Sequence, residues 1–211
     1  MLRLRQMAFA VLAVLACPNG ATAATFFGEF WDASTSVSNL NAANAVIAAG
    51  GPTATFQSSA IDYPQGNVNN TRSSTTLAQY LGGDAASIIG PSSMSITRSV
   101  FRFTGFLDLT SGNQLFQVGS DDGFRLTVGG NLVAQHTNSR GFRFTSATSN
   151  PGAGRTPFEL IYFENRGRTG VEFFVDGALA APAPVPLPGA FALLLAGLAA
   201  FGFARPLRQA A

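Results

Sequence analysis

The sequence predicts an all-β protein, an antiparallel β-sandwich, on three observations. Its second half is a series of short apolar or alternating stretches separated by glycine, asparagine and proline, the spacing of a sandwich or barrel. Within that series Phe124, Leu126 and Val128 fall on one face while Arg125 and Thr127 fall on the other, the period-two pattern of a strand with one buried side. Nineteen phenylalanines supply the large side chains that two facing sheets, about 10 Å apart, need to fill the space between them.

Taken in order, the chain opens on a segment that is not fold. Arg3 and Arg5 precede an apolar run from Met7 to Ala16, and Ala21-Thr22-Ala23 places small residues where a signal peptidase cuts, so residues 1–23 read as a signal peptide cleaved after Ala23. Val14-Leu15-Ala16-Cys17 loosely resembles a lipoprotein attachment box, which is the competing reading. Cys17 is the only cysteine. Cleavage after Ala23 leaves a mature chain with no disulfide, thiolate nucleophile or cysteine-ligated zinc.

The body, residues 24–177, begins with an aromatic strand, Phe26 to Trp31. Leu40 to Ala49 has helical spacing, with Ser38 or Asn39 placed to cap it and Gly50-Gly51-Pro52 to stop it. Thr53 to Ile61 reads as a strand, Asp62 to Asn67 as turn chemistry, and Ser74 to Leu81 as a brief helical turn ended at Gly82-Gly83. Strands follow at Val100–Leu109, Leu115–Val118, Phe124–Val128, Leu132–Gln135, Gly141–Thr145, Phe158–Phe163 and Val171–Val175, with Gly129-Gly130 as a two-residue hairpin loop. There is no fixed-period repeat and no glycine-rich phosphate loop before a helix.

Residues 178–184 shift to alanine and proline, a semi-rigid spacer. In residues 185–211, Val185-Pro186-Leu187-Pro188-Gly189 leads into an uncharged run ending at Ala204, then Arg205 and Arg208. From Pro188 the run reaches roughly 25 Å as a helix, near the lower limit for crossing a bilayer, and the arginines place the body outside the cytoplasm. This order of proline motif, short apolar helix and terminal arginines resembles the PEP-CTERM sorting signal, with Leu187 where the name-giving glutamate would stand. The resemblance implies processing by an exosortase at the membrane. A plain C-terminal anchor gives the same topology. The protein is therefore expected to be exported to the cell envelope or extracellular matrix.

All thirteen basic residues are arginines, and four lie in the two ends, so the body carries nine arginines against eleven acids. That balance excludes the concentrated basic face a nucleic-acid partner needs. Catalytic constellations are equally thin. His136 is the only histidine and no serine elbow accompanies it. A glycosidase needs two carboxylates across a cleft, for which Asp121 and Glu164 are the available pair. An aromatic sugar platform needs an exposed ring, with Trp31, Tyr63 and Tyr80 as the first positions to test.

The distinctive stretch is Gly119-Ser120-Asp121-Asp122-Gly123, where two acids stand side by side. Paired carboxylates at the start of a strand can form an oxygen cage for a hard cation, since calcium takes about 6–8 oxygen ligands. Asp-Gly is also a strong hairpin signal between strands. Both readings are open on the residues alone.

"LFQVGSDDGFRLTVGG" followed by "PFELIYFENRGRTGVEFF" resembles the protective-antigen-type lectin domain of toxins, glycosidase insertions and yeast adhesins, including the GLEYA branch; "FFGEFWDAS" and "TATFQSSAIDYP" extend the likeness over most of the body. The resemblance implies a protective-antigen-like jelly roll in which Asp121 and Asp122, joined by a cis peptide, hold calcium. Asn165 and carbonyls of the Glu164–Arg168 loop complete the cage, and calcium binds sugar hydroxyls directly, with Arg166 and Arg168 beside the ligand. The expected function is calcium-mediated recognition of an extracellular polysaccharide or other glycan, without turnover. A structural matrix protein with no specific ligand and a small glycoside hydrolase are the alternatives.

Overall fold

The computed structural model describes residues 24–66 and 69–184; the expected signal peptide and sorting segment lie outside the described residues. Twelve strands and two short helices follow in order: β1 Phe26–Asp32, α1 Leu40–Ala49, β2 Ala54–Ser58, β3 Asp62–Tyr63, β4 Thr71–Arg72, α2 Leu77–Leu81, β5 Ser99–Leu109, β6 Gln114–Asp121, β7 Gly123–Val128, β8 Asn131–His136, β9 Arg143–Ser149, β10 Gly154–Glu164, β11 Arg168–Val175 and β12 Ala178–Leu179. They form two facing sheets, one in the order β2-β1-β5-β10-β7-β8 and the other β12-β11-β6-β9, with β3 and β4 also paired to β11. The strand pairings are antiparallel. The expected all-β sandwich is the observed architecture.

Alternation along each strand builds the core. Phe101 and Phe103 of β5, Phe158, Leu160 and Tyr162 of β10, Phe124, Leu126 and Val128 of β7, and Phe116, Val118 and Phe173 from the opposite sheet meet between the layers. Tyr63 and Tyr80 join this cluster, their rings 5.6 Å apart, and Tyr63 stacks on Phe103 at 5.9 Å. Phenylalanine dominates here because large rings fill a sheet-to-sheet gap and pair edge to face.

A second, smaller core lies on the outer face of the first sheet. There α1 lays Leu40 and Ala43 against Trp31, Val37, Val100, Ile161 and Phe163. The helix starts where expected, because the Asn39 side chain accepts the Ala42 N–H at 2.9 Å. Trp31 is consequently only 4% exposed, its indole N–H donating to the Gly50 carbonyl at 3.0 Å and Arg102 lying over its ring. Trp31, Tyr63 and Tyr80, the first positions to test for an aromatic platform, are thus core residues and none offers a ring to solvent.

Other differences have local causes. The second helix begins at Leu77 behind a Thr76–Gln79 capping box and continues past Gly82 as a 3-10 turn through Ser87, because Gly82 takes φ 56° and redirects the chain without ending it. β10 starts four residues before Phe158 and includes Pro157. This is tolerated because pairing with β7 begins only at Phe158, so Pro157 has a strand partner on the β5 side alone. β9 runs from Arg143 to Ser149, later than expected, following its partner β6. Ala178–Leu179 pairs with β11, and Ala180 and Ala183 are buried, so the alanine and proline segment begins on the sandwich.

The Gly129-Gly130 loop is the expected hairpin, with positive φ at both residues and Val128 opposite Asn131. Asp121-Asp122-Gly123 is a different structure. β6 ends at Asp121 and belongs to one sheet, while β7 starts at Gly123 and belongs to the other. The hairpin reading of Asp-Asp-Gly is therefore wrong: the stretch is a corner at which the chain crosses between sheets. Gly123 has no room for a side chain, since a Cβ would sit 2.5 Å from the His136 carbonyl oxygen and 2.6 Å from the Phe163 ring. Gly123→Ala is expected to lower stability by about 1–3 kcal/mol through overpacking against backbone, read as a reduced denaturation midpoint at unchanged slope.

Candidate functional site

The corner brings the paired aspartates to the end of the sandwich formed by the last residues of β6 and β10. The Asp121–Asp122 peptide bond is cis. Both residues are nearly enclosed, at 6% and 5% exposure. The corner is held from the core by Tyr162 of β10. Its hydroxyl donates to the Asp121 carbonyl, shares a 2.7 Å hydrogen bond with Thr169, and accepts the Gly170 N–H at 3.1 Å. Tyr162 is fully buried, and this network satisfies main-chain groups of both β6 and β11 that would otherwise be costly to enclose.

Each carboxylate is aimed by neighbours. Asp122 accepts the Asn165 main-chain N–H at 2.8 Å on one oxygen and the Arg140 main-chain N–H at 3.1 Å on the other. Its own carbonyl accepts from Ser120 at 2.8 Å, and the Ser120 hydroxyl in turn accepts from the Arg140 guanidinium at 2.9 Å. Asp121 accepts from the Asn70 side-chain amide at 3.3 Å and from the Phe142 main-chain N–H. Burial raises both carboxyl pKa values; that of Asp121 is pushed up to about 6, with the adjacent Asp122 charge adding to the effect.

A third acid stands behind the pair. Glu164, the last residue of β10, is fully buried, and among the described residues neither of its carboxylate oxygens has a hydrogen-bond partner of ordinary geometry, the Ser73 side chain being near enough only to temper its pKa. Burial first, and then the charges of Asp122 and Asp121, push its pKa up to about 9. Among the described residues none of these three acids forms an ion pair; the salt bridges there are Arg102–Glu29 and Arg125–Glu159. These three enclosed carboxyl groups have no ion-pair partner among the described residues, and no group of three or more acidic, histidine or cysteine side chains there is arranged to hold a metal ion by itself.

The structure brings together the residues singled out in the sequence in a particular way. Asn165 reaches Asp122 through its main chain, while its side-chain oxygen accepts from Ser36 at 2.7 Å. Arg168 donates to the Asn70 side-chain oxygen at 2.7 Å, so it braces the amide that holds Asp121. Arg166 is exposed and lines an open cleft of about 310 Å³ with Ser36, Thr97, Arg98 and Asn165. Arg98 adopts φ 58°, and its N–H donates to the Asn165 carbonyl at 3.0 Å. The imagined Asp121–Glu164 hydrolytic pair fails as read, because Glu164 has no exposed surface from which to meet a substrate. His136 pairs with Phe124 at the end of β8, its pKa lowered by burial and then by Arg140.

Sequence reasoning missed Asn70, Arg140, Tyr162 and the state of Glu164. Tyr162 carried a readable signal, since a polar ring in the inward register of an apolar strand calls for a buried partner. Asn70 and Arg140 carried none, because both act across long loops.

No protein-family model matches the chain, and no curated protein matches it. Solved structures do. The PA14 domain of the MpAFP antifreeze protein superposes with a TM-score of 0.65 at 21% identity, covering 75% of this chain and 87% of that one. A PA14 sugar-binding domain from an RTX adhesin gives 0.61 at 25% identity, covering 76% and 99%. The A domain of epithelial adhesin 6 from Candida glabrata, solved in complex with Galβ1-3GlcNAc, gives 0.54 at 12% identity, covering 79% and 88%. The chain has the fold of these protective-antigen-type and adhesin domains.

The raised acid pKa values set a pH dependence. A carboxyl whose folded pKa lies above its unfolded value binds more protons in the folded state, so its contribution to stability falls as pH rises between the two values. For Asp121 the window runs from 3.8 to about 6, and for Glu164 from 4.5 to about 9. In chelator, the denaturation midpoint is expected to fall from pH 4 to pH 9. Glu164→Gln should flatten the decline above pH 6; a midpoint that rises across this range would contradict the assignment.

Proposed function

We propose that the protein is an exported carbohydrate-recognition domain of the adhesin type, which binds glycan hydroxyls through a calcium ion at the inter-sheet corner. Asp121 and Asp122 supply the ion's carboxylate oxygens, and Asn165 supplies an amide oxygen on turning from Ser36. Arg166 and Arg168 border the ligand. When bound, calcium contributes open coordination places that vicinal hydroxyls fill. The remaining work belongs to the protein: main-chain N–H groups of Asn165, Arg140 and Phe142 orient the carboxylates before the ion arrives. The observation that carries this reading is the adjacent, enclosed Asp121 and Asp122 at the corner, aimed by neighbouring N–H groups and without an ion-pair partner among the described residues. The fold shared with a sugar-binding adhesin domain supports it.

The placement of the chain's last described residues agrees with such a role. Ala183 bonds to Phe106, whose strand partner Pro157 lies seven residues before Glu164 on β10, roughly 23 Å from the acids. The site therefore faces away from the point at which the segment toward residue 185 leaves the sandwich. In the proposed arrangement signal peptidase releases the N-terminus at Ala24, exosortase processes the C-terminal segment at the membrane, and the domain works in an extracellular polysaccharide matrix.

Two measurements test this. On a glycan array, the purified protein should bind saccharides with calcium and lose binding in chelator. Asp122→Asn should lose at least tenfold in calcium-dependent binding while unfolding, in chelator, at a midpoint close to the parent's. Absence of calcium-dependent binding to any sugar would sink the recognition reading and leave the matrix scaffold. Mass spectrometry of the protein from its host should find Ala24 at the N-terminus and the apolar C-terminal segment removed; an intact C-terminus would refute exosortase processing.

A further inference from the structure

The rings first considered for a sugar platform are buried, yet the outer face of the second sheet exposes others. On β6, Leu115, Gln117, Gly119 and Asp121 share the face opposite the core-facing Phe116, Val118 and Ser120. Gly119 pairs with Phe144 of β9, and Gln117 pairs with Phe174 of β11 on one side and Ser146 of β9 on the other. Phe144 is 48% exposed although it is a large apolar side chain in a strand of serine and threonine.

This aromatic group is built from beneath. A Cβ on Gly119 would lie 2.6 Å from the Phe142 ring and 2.9 Å from the Phe144 ring, so the two rings rest on the space that glycine leaves free. Phe142 and Phe144 meet edge to face at 5.6 Å, and Phe144 meets Phe174 the same way at 5.9 Å. Phe144, Phe174, Gln117 and Gly177 border a shallow depression of about 180 Å³. Beside the rings, Gln117 donates to the Ser146 hydroxyl at 3.2 Å, which leaves further acceptor and donor capacity on that polar pair.

The group is continuous with the acid site. Asp121 follows Gly119, the strand partner of Phe144, by two residues on the same face of β6, and Gln117, the partner of Phe174, by four, separations of about 7 and 13 Å. We propose that Phe144 and Phe174 form a stacking subsite for a second sugar ring of a saccharide whose first ring sits at the corner; this rests on the cation-dependent glycan reading above. A pyranose has one C–H face and a rim of hydroxyls, which the exposed ring and the adjacent amide–hydroxyl pair complement. A protein partner fits less well. The depression is one ring wide, whereas a stable protein interface buries about 800 Å² on each side.

The subsite predicts chain-length selectivity. With calcium, the full-length protein should bind some di- or trisaccharide of glucose, galactose or mannose more tightly than the corresponding monosaccharide. Phe144→Ala and Phe174→Ala should remove that gain, a loss on the order of tenfold for one stacked ring, while monosaccharide affinity stays unchanged. Phe144→Tyr, which keeps the ring, should restore it, and Gly119→Ala should mimic the loss by displacing both rings. Thermal unfolding of each variant confirms that it is folded. Equal oligosaccharide affinity in parent and Phe144→Ala overturns the subsite but leaves the cation site standing. No calcium-dependent saccharide binding by the parent overturns both. A parent dimer that Phe144→Ala dissociates, with saccharide binding unchanged, reassigns the face to a second copy of the chain.

Discussion

The structure depends on enclosing three carboxyl groups at a point where the backbone must change sheets. Asp121 closes β6, Gly123 opens β7, and Glu164 closes β10 beside them. The core can accept the crossing because Tyr162 satisfies main-chain groups from two strands and Gly123 threads between the Phe163 ring and the His136 carbonyl. Among the described residues no cationic side chain forms an ion pair with these acids, although Arg168 lies near enough to lower the Asp121 pKa. Arg140 comes near, but its guanidinium is committed to Ser120, Thr145 and the Arg143 carbonyl and lies over the Phe124 ring. The carboxylates of Asp121 and Asp122 are thus orientated chiefly by amide and main-chain dipoles.

Antiparallel strands bring long-range partners together: Asn70, Asp122, Arg140, Asn165 and Arg168 meet at one end of the sandwich although the sequence spreads them over about a hundred positions. Close to this end, the outer face of β6 and β9 carries the exposed aromatic group. In the proposed reading, oxygen ligands would grip sugar hydroxyls and aromatic faces their C–H surfaces, dividing recognition between two kinds of force along one ligand.

The sequence made the sandwich legible through its strongest local signals. The alternation in Phe124–Val128, the Gly129-Gly130 loop and the Asn39 cap of α1 are set by residues within a few positions of one another, and each was found where expected. Asp-Asp-Gly was ambiguous for the opposite reason. Hairpin and corner differ only in which distant strands β6 and β7 pair with, and no local pattern records that. Whether Trp31 and Tyr80 face solvent was not legible, because exposure depends on what covers a face: α1 and Arg102 close over Trp31, and Tyr80 packs against Phe101. Phe144 is the reverse case, a ring whose burial the phenylalanine count implies and whose strand leaves it in solvent. For the site itself the acids could be read and their restraints could not, since most are main-chain N–H groups that any residue would provide.

The central claim is that the corner holds a calcium ion, and a calorimetric titration of the purified protein with calcium at neutral pH tests it most directly. The account predicts saturable binding of one ion per chain, abolished by Asp122→Asn in a variant that remains folded. No heat of binding from the folded parent, or binding that Asp122→Asn leaves unaltered, would contradict it.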